Sequence, residues 1–261
     1  MPSIKVIVPV SSDKWNMLLK DFLHHHKSQN TDIEIDNLPD GPPSIESAYD
    51  ETFAAGPTVL AAEEAEKVGF DGVIIYCGSD PGLRAAKESL AIPVVGIGEA
   101  SLVLASFLGE SVGVITAAHN SFLSARQRHL RDHLRLYRLE SKCVSIRSVD
   151  IPPENVPSRD ELIHKHMLSE MRLLVEDDGA DVIAVTCGAL LDVPESSSIG
   201  TGVPVVIPAI AALKLCELLI GMRLSQSKRS FGAFAATNEE ACAPRLQDAQ
   251  ADDRREHRER T

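Results

Sequence analysis

Gly69-Phe70-Asp71-Gly72-Val73-Ile74-Ile75-Tyr76-Cys77-Gly78 and Gly179-Ala180-Asp181-Val182-Ile183-Ala184-Val185-Thr186-Cys187-Gly188 are two versions of one phrase. Both carry Gly, Asp, a short apolar run, Cys and Gly at the same offsets. Each is followed at a similar interval by Ile92-Pro93-Val94-Val95 or Val203-Pro204-Val205-Val206, and each is preceded by a strand-like run, Lys5 to Val8 or Gly113 to Thr116. The chain therefore reads as a tandem repeat of about half its length.

Outward from these runs, short Val- and Ile-rich stretches alternate with segments of helical period. Strands are expected at Ile4 to Pro9, Ile33 to Asn37, Gly72 to Cys77, Val94 to Ile97, Val112 to Thr116, Cys143 to Val149, Val182 to Cys187 and Val205 to Ile207. Helices are expected at Trp15 to Gln29, Pro57 to Val68, Leu83 to Glu88, Glu99 to Leu108, Ser121 to Arg138, Arg159 to Glu176 and Ala209 to Ser225. Such alternation marks βα units on parallel sheets with both faces covered. The repeat predicts two similar α/β domains, 1–108 and 109–208, with parallel-type sheets related by a pseudo-twofold axis. The helix over 209–225 is expected to join the first domain. A charged tail over 244–261 is expected to be disordered.

Composition limits the function classes. The 261 residues are 44% apolar and 25% charged, which is globular, and the formal net charge of −12 has the wrong sign for neutralising phosphates. A nucleic-acid partner is not expected. The start, Met1-Pro2-Ser3-Ile4-Lys5-Val6, lacks the marks of a secretion signal. The most membrane-like stretch, Val203 to Met222, holds two early prolines and then Lys214 and Glu217, so no membrane partner is expected either. Five cysteines at irregular spacing suit reduced thiols in the cytoplasm better than a disulfide frame.

Cys77 and Cys187 end equivalent strands, each before a Gly and a loop into a helix, on the edge where open α/β sheets bind ligands. One cysteine at a strand end is ordinary packing. Two at matched repeat positions point to chemistry, because packing gives no reason for both copies to choose a thiol. Opposed thiols suit a reversible proton transfer at carbon, with a thiolate removing a proton from one face and a thiol delivering one to the other. A free thiol titrates near ~8.5, and amides of the following loop can favour the thiolate or hold a developing oxyanion. Gly78 and Gly188 let the backbone come close.

These residues resemble the Asp/Glu/hydantoin racemase family, especially its hydantoin racemase branch. The matching segments are Leu38-Pro39-Asp40-Gly41-Pro42-Pro43-Ser44-Ile45-Glu46-Ser47, Cys77 with Asp80-Pro81-Gly82-Leu83, and Ile92 through Ala100. Gly179 through Gly188, Val203-Pro204-Val205-Val206 and Ser227-Lys228 complete the set. The resemblance implies two α/β domains with the active site between them, Cys77 and Cys187 as the acid/base pair, no cofactor, a small-molecule substrate and a homo-oligomer. The sequence departs from the branch at Pro9-Val10-Ser11-Ser12, where relatives carry an Asn-Pro-Asn-like turn. It departs again at Thr186, Ala189-Leu190-Leu191 and Ile207-Pro208. Catalysis is expected to be kept while substrate contacts shift.

A substrate with an acidic side chain calls for a fixed Arg or Lys near the thiols. The sequence neighbours Tyr76, Gly78, Ser79, Thr186, Gly188 and Ala189 supply none, so a neutral 5-monosubstituted hydantoin is the expected substrate. Aspartate, glutamate or allantoin are the alternatives. Arg84, the nearest cation in sequence, reads as a solvated charge. Ser11, Ser79 and Thr116 stand where they can bond a ring or cap a helix, and Gly78, Gly188 and Ala189 complete the expected substrate contacts.

Two other signals lose on inspection. Gly96-Ile97-Gly98-Glu99-Ala100-Ser101 starts like a dinucleotide fingerprint but lacks its third glycine and its acidic strand end. His24-His25-His26, His129 with His133, and His164 with His166 are expected to lie on solvated faces, with no metal site. Cys216 reads as core, while Cys143 and Cys242 have no repeat partner. A non-catalytic binding protein and a thiol-redox protein are the competing classes; the first conflicts with both cysteines being kept, and the second lacks a Cys-x-x-Cys.

Overall fold

The repeated glycines and aspartates have a backbone explanation. Gly69 and Gly179 sit just past helices at φ +99° and +75°, a left-handed geometry that strains any residue with a Cβ. Two residues on, the Asp71 carboxylate accepts the Ser3 N–H at 2.8 Å, and the Asp181 carboxylate accepts that of Ser111 at 2.9 Å. Each aspartate thus ties the start of its own strand to the neighbouring one. The repeated prolines play matched parts, since the Pro93 carbonyl accepts from Val73 and the Pro204 carbonyl from Ile183, both at 2.9 Å.

The computed structural model describes residues 1–118, 123–151, 161–190 and 200–232. The first half runs β1 (Ser3–Val8), α1 (Asn16–His26), β2 (Asp32–Asn37), α2 (Ala48–Lys67), β3 (Gly72–Ile75), α3 (Leu83–Ser89), β4 (Val94–Gly96) and α4 (Ile97–Leu108). The second runs β5 (Val112–Ala117), α5 (Leu123–Leu136), β6 (Cys143–Val149), α6 (Glu161–Glu176), β7 (Val182–Val185), β8 (Val205–Val206) and α7 (Pro208–Met222). Two parallel four-stranded sheets result, in the matching orders β2-β1-β3-β4 and β6-β5-β7-β8. This is the expected fold class.

One helix starts earlier than its period indicates. Helix α2 begins at Ala48 rather than at Pro57, because Ser47 and Asp50 form a reciprocal capping box. Pro57, a residue that favours a first turn, stands instead inside the helix.

Alternation along the second sheet divides the core. Val182 and Ala184 on β7 share a cluster with Leu102 and Ala105 of α4, while Ile183 and Val185 pack with Met167, Met171 and Leu174 of α6. Helix α4 belongs to the first half in sequence, yet its Ser101 hydroxyl donates to the Val185 carbonyl at 2.6 Å. Helix α7 returns to the first sheet, and a Cβ on Gly72 of β3 would lie 2.7 Å from the Cys216 Sγ. Cys216 is buried in that core, where burial pushes its thiol up to about 12.

Residues 1–226 form one compact unit, and the described residues 227–232 belong to a second. In the second, the Ser227 carbonyl closes a turn with the Ser230 and Phe231 N–H groups. The expected tail and Cys242 lie outside the described residues. Among the described residues, no helix is long and apolar enough to cross a membrane.

Candidate active site

Parallel sheets with these orders open a crevice where neighbouring connections leave in opposite directions, beyond the strand ends. In the first sheet that point lies between β1 and β3, and in the second between β5 and β7. Cys77 follows β3 and Cys187 follows β7. The structure brings them together: both line a single cleft with about 670 Å³ of empty space, part of it open to solvent. Val8, Pro9 and Val10 from the end of β1 and Thr116 from β5 line the same cleft.

The two loops interlock. A Cβ on Gly78 would lie 1.5 Å from the Thr186 carbonyl oxygen, and one on Gly188 would lie 2.8 Å from the Tyr76 ring. The Tyr76 hydroxyl donates to the Gly188 carbonyl at 2.9 Å. Only glycines admit this approach of one strand end to the other.

Both cysteines are half-buried and free of disulfides. Burial raises the Cys77 thiol to about 11, against the opposing effects of Ser79 and Arg126. The Ser79 hydroxyl lies 3.2 Å from the Cys77 Sγ. Ser79 is buried and lies outside the cleft lining, behind the sulfur. It does not cap α3 either, since Gly82 holds that place. Ser11 is exposed and also outside the lining, its N–H donating to the Pro42 carbonyl at 3.0 Å. Gly78, Thr116, Gly188 and Ala189 do line the cleft.

Sequence reasoning missed the cation of the cleft. Arg126 of α5 reaches the cleft and donates to the Ile45 carbonyl at 2.8 Å. Its distance from the cysteines along the chain hid it: the sequence neighbours of the thiols hold no cation, but the folded cleft does. Trp15, Leu19 and Ile45 add an apolar wall; only Ile45, within the Leu38 to Ser47 segment, carried a prior signal. Arg84 is 70% exposed and pairs with Glu88.

The fingerprint-like glycines serve a carboxylate. Asp80, buried with φ +48°, accepts the Gly98 N–H at 3.0 Å and the Glu99 N–H at 2.7 Å. It occupies the N-terminus of α4, where a dinucleotide site would place its phosphates. A Cβ on Gly96 would lie 2.3 Å from the Asp80 carboxylate.

The histidines separate into two kinds. His24, His25 and His166 are exposed, as expected, whereas His26 and His164 are half-buried. His129 and His133 correct the expectation of a solvated face: the His129 side chain is 19% exposed, and His129 Nε2 and His133 Nδ1 are buried without hydrogen-bond partners. Burial lowers His129 to about 3 and His133 to about 4.

Paired four-stranded parallel sheets, with one cleft at their two crossover points and a cysteine from each, define a two-sheet α/β protein of the racemase type. The chain belongs to the Asp/Glu/Hydantoin racemase family, whose model matches residues 4–216, and it is an isomerase of that family. It is 29% identical over 221 residues to the hydantoin racemase of Rhizobium meliloti, covering 83% of this chain and 90% of that protein. It is 30% identical over 228 residues to the hydantoin racemase of Pseudomonas sp. (strain NS671), covering 86% and 88%. Among solved structures, the allantoin racemase from Klebsiella pneumoniae superposes with a TM-score of 0.83 at 25% identity, covering 90% of this chain and 94% of that one.

Proposed function

We propose that this protein inverts the stereocentre of a 5-monosubstituted hydantoin, without a cofactor, by proton transfer between Cys77 and Cys187. The observation that carries this reading is that the two thiols, one from each sheet, line a single cleft. The thiolate on one side takes the proton from C5, and the electron pair spreads into the adjacent carbonyl. The thiol on the other side then gives its proton to the opposite face of the same carbon. The products are the other enantiomer and a pair of thiols with exchanged protonation, ready for the reverse direction. Burial holds the Cys77 thiol above its ordinary range, which suits it to the proton-delivering step. The apolar wall of Trp15, Leu19 and Ile45 suits a hydrocarbon substituent at C5.

Arg126 favours a second reading, in which the substrate carries a strong acceptor such as the ureido carbonyl of allantoin or the carboxylate of an acidic amino acid. Polarimetry in deuterated buffer, on single enantiomers of alkyl- and aryl-substituted hydantoins, allantoin, aspartate and glutamate, separates the two. Loss of rotation with deuterium uptake is expected on hydantoins with apolar substituents. Activity confined to allantoin or the amino acids would transfer the substrate to the Arg126 reading, and silence on the whole panel would remove both.

The assembly proposed with this function is a cytoplasmic homo-oligomer. Val103, Leu104, Phe107 and Leu108 of α4 are exposed, Phe107 by 86%, an apolar face suited to a second copy. Sedimentation as a monomer at micromolar concentration would dispose of it.

A further inference from the structure

Beside the cleft, α2 and α5 bring together three side chains that the racemisation chemistry does not use. His129 and His133 are four residues apart on α5 and so share a face of that helix. Glu51 stands opposite on α2, its carboxylate 3.1 Å from the His129 Nδ1. The two imidazole rings lie 4.4 Å apart between centroids. One ligating atom from each of the three residues falls within 4.8 Å of the others.

We propose that Glu51, His129 and His133 form a binding site for one divalent transition-metal ion of the zinc class, which fastens α2 to α5. Two imidazoles and a carboxylate are the donors such ions take, with water or a neighbouring oxygen as the fourth ligand. Bonds of about 2.0–2.1 Å set tetrahedral ligand atoms roughly 3.3 Å apart, close to the Glu51 to His129 separation.

The second, independent observation is an orphaned nitrogen on the other imidazole. His133 Nδ1 is buried and makes no hydrogen bond, a group that calls for an ion, a water or another partner. Burial also keeps both rings in the neutral form that ligates. A cavity lined by Glu51, His129, Glu46 and Asp132 adjoins the cluster and gives an ion a route in. Arg126 and Arg128 line that cavity too and oppose a cation, while the carboxylates of Glu46 and Asp132 offset them. Arg126 also lines the reaction cleft, so a metal here stiffens the wall from which it reaches.

The inference does not rest on the reaction proposed above and is tested without it. The full-length protein is stripped with a chelator and titrated with Co2+, with visible and near-ultraviolet absorption recorded; thermal unfolding is followed in parallel with Zn2+. Expected are one equivalent bound, d–d bands without a thiolate charge-transfer band, and a rise in Tm with Zn2+. Affinity should fall at least tenfold in His133→Gln and in Glu51→Gln and stay unchanged in the Cys77→Ser, Cys187→Ser double variant. Apo-state Tm values for both cluster variants establish that they fold, and the wild-type cobalt spectrum decides the ligand set if either does not. A thiolate band, unchanged binding in folded cluster variants, or no Tm rise at 100-fold molar excess of Zn2+ over protein would overturn the proposal.

Discussion

The turns after Cys77 and Cys187 share a backbone and differ in side chains. Three residues past each cysteine an N–H returns to the cysteine carbonyl, from Asp80 at 3.0 Å and from Leu190 at 3.2 Å. Yet Ser79 answers to Ala189 and Asp80 to Leu190. In the first half a hydroxyl touches the sulfur and a buried carboxylate stands behind it, fastened to the start of α4. In the second half both places are apolar. The repeat preserves what geometry demands, a strand end, a thiol and a glycine, and leaves free what tunes the thiol. Two thiols equivalent by position therefore stand in different surroundings.

The largest effect tests the thiols themselves. Cys77→Ser and Cys187→Ser should each lower racemisation by about 10³-fold, within the range for a lost general acid or base. With Cys187 intact, Cys77→Ser should still exchange the C5 proton of one enantiomer with solvent deuterium without inverting it, as read by mass spectrometry and chiral chromatography. Full racemisation in either variant would remove the two-thiol mechanism.

A smaller difference is expected between the two glycines. Gly78→Ala drives a methyl into the Thr186 backbone carbonyl, which cannot move without parting the loops, so a loss of ~3 kcal/mol or more and of activity is expected. Gly188→Ala meets the edge of the Tyr76 ring and the Ile97 methyl, side chains that can yield, for a loss of ~1 kcal/mol. Denaturant midpoints check both. Equal losses would mean the interlocking is not as asymmetric as the contacts indicate.

The finest test concerns Ser79. A thiol raised to about 11 keeps its proton between pH 8 and 10, where an unperturbed one near ~8.5 loses it. Alkylation of Cys77 by iodoacetamide, followed by peptide mass mapping, should therefore rise about tenfold per pH unit across that window. Ser79→Ala removes a bond that favours the thiolate and should slow the reaction severalfold at pH 8. A plateau near pH 9 would mean that burial does not govern this thiol.

The sequence alone determined the repeat, the strand and helix types and the pair of cysteines, because each rests on local signals. Alternation sets the strands, positive φ requires Gly69 and Gly179, and matched offsets single out Cys77 and Cys187. The start of α2 was legible in Ser47 and Asp50 but was masked by Pro57. Tertiary structure alone decided the strand order that puts both cysteines at crossover points, and the arrival of Arg126 and the apolar wall in their cleft. It also set Ser79 against the Cys77 sulfur and outside the cleft lining, and left His129 and His133 half-buried beside Glu51. The physical reason is common to all of these. A residue's period and neighbours report which face it presents, whereas the partner on that face comes from a distant part of the chain, and only packing selects it.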